Sequence, residues 1–519
     1  MRNRAAARPS NTYDDVPYPS GAQPLSHPSH LAMVAALFNH PAEPIHACRV
    51  LELGCASGGN LIPMAQDFPR GQFLGIDLSP RQIADGQAAA SALALRNIQL
   101  QCLDLSNLGQ DIGTFDYIIC HGVYSWVPRP VQDRILEIGR DHLSRHGVMY
   151  VSYNTYPGWH LRGVVRDMMR YHAASFTTPE EKLGQSRSLL KFLIDSATTA
   201  SETYRQLLKD EAEHLNGHSD EYIYHEHLEE TNEPLYFYEF MERAAASELR
   251  YLGDAEFERM LASQFDDATA TILRDAPLLR QEQYIDFLTA RTFRRSLLCR
   301  PGTPIDREVT AERLTGLSLS LAEYMQASSS QTDGVTFAGR TRSVTTKHPV
   351  IDRVLHELIE VWPAWVSTEE LLTRVRNKAG DAGNQPEAEI LSSLLLLLSR
   401  GAIQASMTPP PVERKHGITP VTTPWARLQA ESGSTMVTNR RHTAVHVDEV
   451  CCFVLSRLDG HHDRQRLLDE LGAAIAGGRL CTREDNSPTA ESERQPLDSL
   501  LDRVLANLAA RALLIPDTA

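Results

Sequence analysis

The sequence has few cysteines, no long hydrophobic run and no excess of basic residues, and each shortage excludes a class of protein. Its 519 residues contain eight cysteines without a C-x-x-C pair or a disulfide framework, so we expect free, mostly buried thiols in a reducing, cytoplasmic compartment. No apolar run reaches the ~18 residues of a membrane-spanning helix. No apolar segment follows Arg2, Arg4 and Arg8 as it would in a secretory signal. The sequence therefore predicts no membrane span.

The net charge and the length of the chain limit the kind of partner and the number of domains. The net charge is −15 and the isoelectric point is near 5.7, which disfavours a nucleic-acid partner bound through phosphate neutralisation. A chain of 519 residues exceeds a single hydrophobic core, and we expect about three or four domains.

The most informative segment is a short apolar strand that runs into a glycine turn. The strand is Val50–Leu53, the turn contains Gly54 and Gly58, and a helix pattern follows. This strand–turn–helix order is the nucleotide-binding entry of a doubly wound α/β fold. Ala56 stands where a dinucleotide site has its second glycine, and Glu52 places a carboxylate where it would repel phosphate. A ligand with a cationic end fits better, and S-adenosylmethionine has one.

Acidic residues follow the next two predicted strands. Asp77 ends the second strand, 23 residues after Gly54 (77 − 54), which is the spacing of a carboxylate that binds ribose hydroxyls. Asp104 ends the third strand, where it is placed to accept from an adenine amino group while Leu105 packs on the ring. Because ligands of such sheets bind beyond the carboxyl ends of the strands, the acids predict a cofactor site at this edge.

These segments resemble the ordered motifs of class I S-adenosylmethionine-dependent methyltransferases, and the matching runs are Glu52–Asn60, Gly75–Ser79, Leu103–Leu105 and Phe115–Tyr117. Further segments are similar to bacterial methyltransferases with a methyltransferase regulatory domain, a group that includes lysine methyltransferases of outer-membrane proteins. They are Tyr13–Tyr18 with His27, Ser152–His160, Tyr224–Leu228 and Tyr236–Phe240. The resemblance covers residues 10 to 300 well and the remainder loosely.

The resemblance implies S-adenosyl-L-methionine as the cofactor. In the N-terminal segment, Tyr13 or Tyr18 is placed to reach its methionine end, and packing on the sheet is the alternative for both. The expected cofactor-binding residues are Tyr18, Glu52, Gly54, Cys55, Ala56, Gly58, Asn60, Asp77, Leu78, Asp104, Leu105 and His121.

Polar aromatic residues follow the fourth and fifth predicted strands and indicate the acceptor side. Methyl transfer from a sulfonium requires no metal, but it requires an acceptor that is held in line and has lost its proton, and such positioning contributes ~7–11 kcal/mol. An apolar channel lowers the pKa of a lysine amine by penalising its charged form. We expect Tyr124, Trp126, Tyr156 and Trp159 to bind the substrate.

Three residues are candidates for catalysis. We expect Tyr153 and Asn154 to orient the acceptor, and His121 is a candidate base, although a satisfied strand-end histidine and deprotonation by solvent remain alternatives. His225 and His227 should share one face of an extended segment. No third ligand accompanies them, so we assign no metal.

Helix-breaking and strand-breaking residues, together with the hydrophobic periodicity, divide the N-terminal part into an α/β, Rossmann-like domain and the segments that surround it. We expect an N-terminal cofactor-covering segment (1–46), the cofactor-binding core (47–156), a helical insertion or lid (157–220) and a regulatory region that ends the catalytic sheet (221–300). Within the last part, residues 249–252 predict an antiparallel edge strand that closes the sheet near residue 260. Residues 257–300 predict an arginine-rich helical segment with a solvated face.

Two mainly α, winged-helix-like modules should follow, at residues 305–408 and 412–519. Neither carries a dense basic recognition helix, so we expect docking of a protein or other substrate and not DNA reading. The sequence favours a methyltransferase that acts on lysine amines of a protein. A small-molecule or peptide natural-product methyltransferase, or a non-catalytic cofactor-binding regulator, are the alternatives.

Overall fold

A seven-stranded mixed sheet organises the N-terminal part of the chain. The computed structural model describes residues 16–330, 334–377, 386–480 and 497–516. The strands run in the order β3-β2-β1-β4-β5-β7-β6. Strands β1 to β5 are parallel, β7 pairs with β5 antiparallel, and β6 pairs with β7 antiparallel. The strands are β1 (Arg49–Leu53), β2 (Gln72–Asp77), β3 (Ile98–Cys102), β4 (Phe115–Cys120), β5 (Leu143–Asn154), β6 (Arg250–Asp254) and β7 (Phe293–Cys299). The predicted doubly wound α/β fold is confirmed.

Helices cover both faces of this sheet, and each face has its own apolar core. They are α1 (Pro28–Leu37), α2 (Leu61–Asp67), α3 (Pro80–Ala92) and α4 (Arg129–His142). Helix α3 begins at Pro80, because the Ser79 side chain accepts from the backbone N–H of Gln82 at 3.1 Å and Pro80 occupies the first turn. This cap fixes the loop that follows Asp77.

Four helices form an insertion after β5. They are α5 (Gly158–Ala173), α6 (Pro179–Ser196), α7 (Glu202–Asn216) and α8 (Asp220–Leu228), and they share a small apolar core that includes Val165, Leu208 and Ile223. The prediction of an extended segment around His225 is wrong, because Ser219 caps a helix there. On a helix, residues two apart do not share a face: His225 contacts Glu229, whereas His227 contacts Glu211.

The segment that closes the sheet differs from the prediction. It contains α9 (Phe237–Ala246), β6, α10 (Asp267–Asp275), α11 (Leu278–Thr289) and β7. Residues 293–299 form a strand between β5 and β6, so the sheet closes at Cys299 and not near residue 260. Arg291 and Arg294 are buried and form ion pairs with Asp254. These two arginines of the segment predicted as a solvated helix are therefore compensated inside the fold, whereas Arg280 is exposed.

The first C-terminal module continues the core of the sheet. Its helices are α12 (Pro349–Val361), α13 (Thr368–Asn377) and α14 (Glu387–Ser399). Its strands are β8 (Ser318–Leu321), β9 (Gln326–Ser330), β10 (Gly334–Ala338), β11 (Ser343–Thr346), β12 (Val366–Ser367) and β13 (Ile403–Ser406). Leu319, Leu355 and Leu394 of this module belong to the same apolar cluster as Leu31 and Val50. The module thus packs directly on the first helix and the sheet.

The second module has a separate core and a small sheet. It contains α15 (Pro424–Glu431), β14 (Met436–Thr438), β15 (Ala444–His446), α16 (Glu449–Leu455), α17 (Arg464–Ala476) and α18 (Leu497–Ala510). The sequence also predicts a polar linker at 377–385 and a polar loop at 483–495; apart from Asn377, both lie outside the described residues. Within the described part of the chain, no helix is long and apolar enough to cross a membrane.

Candidate active site

A cavity of about 660 Å³ opens beyond the carboxyl ends of β1, β2, β4 and β5. Gly54, Asp77, Asp104, His121 and Asn154 line its sheet side. Helices α5 and α8 of the insertion form the opposite wall with the side chains of Trp159, Arg162, Tyr222, His225 and Glu226. The cavity therefore lies between the strand ends and the insertion.

The glycine turn after β1 brings backbone close to the cavity. Gly54 has φ +76°, and a Cβ there would lie 2.3 Å from Cγ2 of Val123, so only glycine fits without displacing the neighbouring loop. Ala56 also lies in the left-handed region, at φ +48°. Its N–H donates to Oδ2 of Asp77 at 2.8 Å. Asp77 thus ties the glycine turn to the end of β2, where its other oxygen accepts from the Ser79 N–H at 2.9 Å.

Glu52 lies beneath this turn in an apolar setting. Its Oε1 accepts from Nδ2 of Asn60 at 2.7 Å, whereas its buried Oε2 has no hydrogen-bond partner among the described residues. Burial raises the pKa of this carboxyl group to about 7. An unsatisfied buried carboxylate oxygen is costly unless a donor or a cation reaches it.

Asn60 connects three parts of the chain below the turn. Its Oδ1 accepts from the backbone N–H of Gln23 at 2.9 Å and from Nε2 of His442 at 2.8 Å. Its Nδ2 also donates to Oγ of Ser26 at 3.1 Å. His442 belongs to the second C-terminal module, so that module is hydrogen-bonded to the support of the glycine turn.

The predicted cofactor residues divide into cavity-lining and supporting ones. The cavity is lined by Tyr18, Gly54, Ala56, Asp77, Leu78, Asp104, Leu105 and His121. The cavity is not lined by Glu52, Cys55, Gly58 or Asn60. Glu52 and Asn60 support the glycine turn, and Cys55 is buried under that turn. Tyr13 lies outside the described residues.

The expected cofactor fits this arrangement. Leu78, Leu105, Val127 and Val131 give the cavity an apolar wall for a purine ring, beside the carboxylates of Asp77 and Asp104. The unpartnered Oε2 of Glu52 supplies negative charge close to the turn, which suits a cationic ligand. A pyrophosphate at this turn would lie beside the carboxylate of Asp77 and above the buried Glu52, so a dinucleotide fits poorly.

The acceptor-side predictions are met in part. Trp126, Asn154 and Trp159 line the cavity, and the two indole rings meet edge to face with centroids 6.4 Å apart. Asn154 is 2% exposed and its Nδ2 donates to Oδ1 of Asn232 at 3.1 Å. His121 contacts the Tyr150 hydroxyl through Nδ1 at 2.9 Å. Burial lowers the pKa of His121 to about 3, so its imidazole is neutral and a weak base.

Three predicted aromatic residues do not reach the cavity. Tyr153 stacks on Phe240 at 4.2 Å and its hydroxyl contacts Oγ of Ser296 at 3.0 Å. Alternation along β5 is the reason, because neighbouring side chains of a strand point to opposite faces, and Asn154 takes the cavity side. Tyr124 is fully buried against Phe240, and Tyr156 stacks on His160 outside the cavity. The structure thus gives Tyr153 no contact with a bound acceptor.

Several cavity residues were absent from the sequence prediction. Arg162 comes from α5 and Tyr222, His225 and Glu226 come from α8, while Phe293 and Arg295 come from β7. Their spacing in the sequence indicates that they point in common directions: residues 222, 225 and 226 share one face of a helix, and residues 293 and 295 share one face of a strand. Using that signal requires knowing which elements fold over the strand ends, and the sequence does not give this.

Comparison with known proteins agrees with this geometry. The family descriptions that match are "Methyltransferase domain" at residues 50–147, "Predicted methyltransferase regulatory domain" at 219–300 and "PKMT, C-terminal winged helix domain" at 419–513. The uncharacterized protein RP789 of Rickettsia prowazekii is 32% identical over 97% of this chain and 94% of its own length. The uncharacterized protein RP028 of the same organism is 39% identical over 46% of this chain and 96% of its own length.

A solved structure extends the similarity to three dimensions. PKMT2 from Rickettsia typhi, in complex with AdoHcy, is 29% identical and superposes with a TM-score of 0.87, covering 96% of this chain and 100% of that chain. The methyltransferase match and this likeness confirm S-adenosyl-L-methionine as the cofactor and methyl transfer as the reaction. The chain belongs to the bacterial class I S-adenosylmethionine-dependent methyltransferases that carry a methyltransferase regulatory domain and a C-terminal winged helix domain.

Proposed function

We propose that this enzyme methylates lysine amines of a protein substrate by direct in-line transfer. The observation that carries the proposal is the composition of the cavity. Its cofactor side holds Asp77 and Asp104, and its far wall combines Trp126, Trp159 and the carboxylate of Glu226 with the guanidinium group of Arg162, which contacts His214. An aromatic wall with one acid suits a primary amine, which arrives as a cation and must lose a proton. The likeness to PKMT2 from Rickettsia typhi and the match to the PKMT winged helix domain support this proposal.

The residues of this chain bind the cofactor, position the acceptor amine and remove water from it. Bound S-adenosyl-L-methionine supplies a methyl group on a positively charged sulfur. Asp77 and Asp104 bind the ribose and adenine, the turn at Gly54 and Ala56 approaches the methionine end, and Glu52 supports that turn. Trp126 and Trp159 exclude water from the acceptor nitrogen, which keeps the amine neutral and reactive. Asn154 orients it from the end of β5.

An aromatic surface next to the cavity supports a protein substrate. Tyr156 stacks on His160 at 3.8 Å, Tyr236 lies 5.2 Å from Tyr156, and Tyr238 stacks on Tyr236 at 5.7 Å. His160 is exposed, and it directly follows Trp159 of the cavity wall. The surface therefore continues outward from the cavity and suits the residues that flank a target lysine, which is the role we propose for Tyr156.

The test is to incubate the enzyme with methyl-labelled cofactor and a whole-cell extract. We expect label in the acid-precipitable fraction, and N-methylated lysines after complete hydrolysis of that fraction. A labelled acid-soluble product other than the cofactor would instead identify a small-molecule or peptide natural-product acceptor. Precipitable label on an amino acid other than lysine would contradict the proposed target atom while leaving methyl transfer intact.

A further inference from the structure

Glu226 is an acidic side chain on the insertion wall of the cavity. It lies on α8 in the same cavity as Trp126, Trp159 and Asn154, across from the cofactor acids. Among the residues that the structure describes, it forms no hydrogen bond or ion pair. The arginines nearby have other partners: Nη2 of Arg162 contacts Nε2 of His214 at 2.5 Å, and Nη2 of Arg166 donates to the Glu229 carbonyl at 2.5 Å.

Glu226 lies among charged and aromatic side chains on the insertion wall of the cavity. Burial raises the pKa of its carboxyl group to about 7, and the guanidinium groups of Arg162 and Arg166 counteract part of that rise. The charged and titratable groups that face it are Arg162 and Arg166 on α5, Glu211 on α7, Tyr222 and His225 on α8, and Tyr18 of the N-terminal segment. Near neutral pH this carboxyl group can both hold and release a proton, as a general base must.

We propose that Glu226 is the catalytic residue that binds the ammonium group of the acceptor and takes its proton. This inference rests on the proposed lysine methylation and adds the group that prepares the amine. Cavity position and freedom from hydrogen-bond partners select Glu226. Tyr18 also lines the cavity, but burial raises the pKa of its hydroxyl group, so it stays a phenol and does not accept the proton. His121 is a weak base, and His225 is engaged by the Val16 carbonyl at 2.6 Å and by Glu229 at 3.0 Å.

The proposed step balances in atoms and charge. The acceptor ammonium gives one proton to the Glu226 carboxylate and becomes a neutral amine. The amine nitrogen forms a bond to the methyl carbon as the bond between that carbon and sulfur breaks, and the electron pair of the broken bond stays on sulfur. The products are an N-methylammonium group and S-adenosylhomocysteine. Glu226 then releases its proton to water, so each transfer liberates one proton.

The first experiment measures amine binding without turnover. The five tryptophans are replaced by 5-fluorotryptophan, and the S-adenosylhomocysteine-bound enzyme is titrated with n-butylammonium while fluorine resonances are recorded. We expect shifts for Trp126 and Trp159 but not for Trp362, Trp365 or Trp425. Glu226→Gln should weaken this binding about tenfold or more, because a charged hydrogen bond is lost. The exposed Glu230→Gln should leave the affinity unchanged, and equal affinities in all three proteins would overturn the proposal.

The second experiment compares pH profiles of methyl transfer to the cell extract. The wild-type rate should rise through about pH 7, whereas the Glu226→Gln rate should be depressed and rise only toward the pKa of a free lysine, about 10. Calorimetry with S-adenosylhomocysteine should show equal affinity in both, which establishes that the variant is folded. If Glu226→Gln does not fold, Glu226→Asp keeps a carboxylate and must retain the rise near neutrality.

The two proposals fail in different ways. Methyl-lysine formed by wild type and Glu226→Gln at equal rates, with one pH profile, would refute the role of Glu226 and leave lysine methylation standing. Absence of methyl-lysine in the wild-type reaction would refute lysine methylation itself. An n-butylammonium affinity that depends on Glu226 would then still show that the cavity selects an amine.

Discussion

At the scale of single residues, the site depends on carboxylates that the fold places in different environments. Asp77 accepts from two backbone N–H groups and is half-buried, and its carboxylate both shapes the turn and faces the cavity. Glu52 and Glu226 are largely removed from water, and burial raises the pKa of each to about 7. Three acids of similar intrinsic strength can therefore serve three purposes, because desolvation and hydrogen bonding tune them separately.

Replacing Glu52 should separate stability from cofactor binding. Because its pKa is higher in the folded protein than in the unfolded chain, Glu52 contributes most at low pH, and its contribution is lost as pH rises from about 4.5 to about 7. Glu52→Gln should thus raise the free energy of unfolding above pH 7, by roughly 3 kcal/mol at most, with little gain below pH 5. Thermal melting at pH 5 and pH 8 measures this.

The same variant should bind the cofactor less tightly, because it removes the negative charge beneath the turn. Calorimetry with S-adenosyl-L-methionine and its uncharged-sulfur product, S-adenosylhomocysteine, tests the electrostatic part. A larger loss for the sulfonium form is expected, and equal losses for both ligands would argue against a charge effect.

Asn154 should matter for turnover and not for cofactor affinity. Its side chain lines the cavity at the end of β5, away from Asp77 and Asp104, and Asn232 holds its amide. Asn154→Ala should lower kcat and kcat/KM by similar factors, the pattern of a contact made in the transition state. Asn232→Ala is a useful comparison, because it removes only the hydrogen bond that holds the Asn154 amide and leaves that amide in the cavity. Joint loss of cofactor binding and turnover in Asn154→Ala would place Asn154 on the cofactor side.

At the scale of elements, β7 completes both the sheet and the site. It inserts between β5 and β6, and alternation along it sends Phe293 and Arg295 to the cavity while Arg294 points into the core. There Arg294 contacts Asp286 at 2.7 Å, Glu282 at 3.0 Å and Asp254 at 3.5 Å. One buried cation thus compensates acids from α11 and β6 and holds these elements against the strand.

Removing Arg294 should destabilise the enzyme severely. Breaking a buried ion pair from one side costs about 3–5 kcal/mol, since the remaining charges are left without compensation. Arg294→Ala should therefore lower the melting temperature strongly, whereas Arg280→Ala, at an exposed position of α11, should change stability by less than about 0.5 kcal/mol. Similar melting curves for the two variants would show that the network contributes little.

At the scale of the whole molecule, the C-terminal modules are part of the support of the site. The first shares its apolar cluster with α1 and the sheet. The second is joined to the cofactor-binding half by His442 to Asn60, by Arg440 to Asp67, and by the Trp425 N–H to the Gln66 side chain at 2.9 Å. Asn60 in turn holds Glu52, so the chain of contacts runs from the second module to the glycine turn.

This connection predicts a remote effect on cofactor binding. His442→Ala removes a buried donor to Asn60, and a lost hydrogen bond of this kind costs about 1 kcal/mol or more. We expect S-adenosylhomocysteine affinity to fall roughly fivefold or more by that magnitude. His446→Ala changes an exposed histidine of the same module and should bind normally. Equal affinity in both variants would show that the module does not support the turn.

The sequence determined the central sheet and the edge at which most of the predicted cofactor residues meet. Local spacing identifies the glycine turn at Gly54 after the first apolar strand and the acids at 77 and 104 after the next two strands. Because ligands bind beyond the ends of parallel strands, this spacing also predicts which edge of the sheet holds the site. Tyr153 lies on the opposite face of β5 from Asn154 and packs on Phe240, as the alternation of side chains along a strand indicates.

Only the tertiary structure decided which distant elements meet at this edge. Glu226, Arg162 and Arg295 reach the cavity because α5, α8 and β7 pack across the strand ends, and His442 reaches Asn60 across 382 positions of the chain. Local patterns give the period of an element and its buried face, but not its partner, since that choice depends on the packing of all elements together. The arginine-rich stretch before residue 300 shows this most clearly: its charge predicts a solvated helix, and the fold instead encloses Arg294 with three acids that come from two other elements.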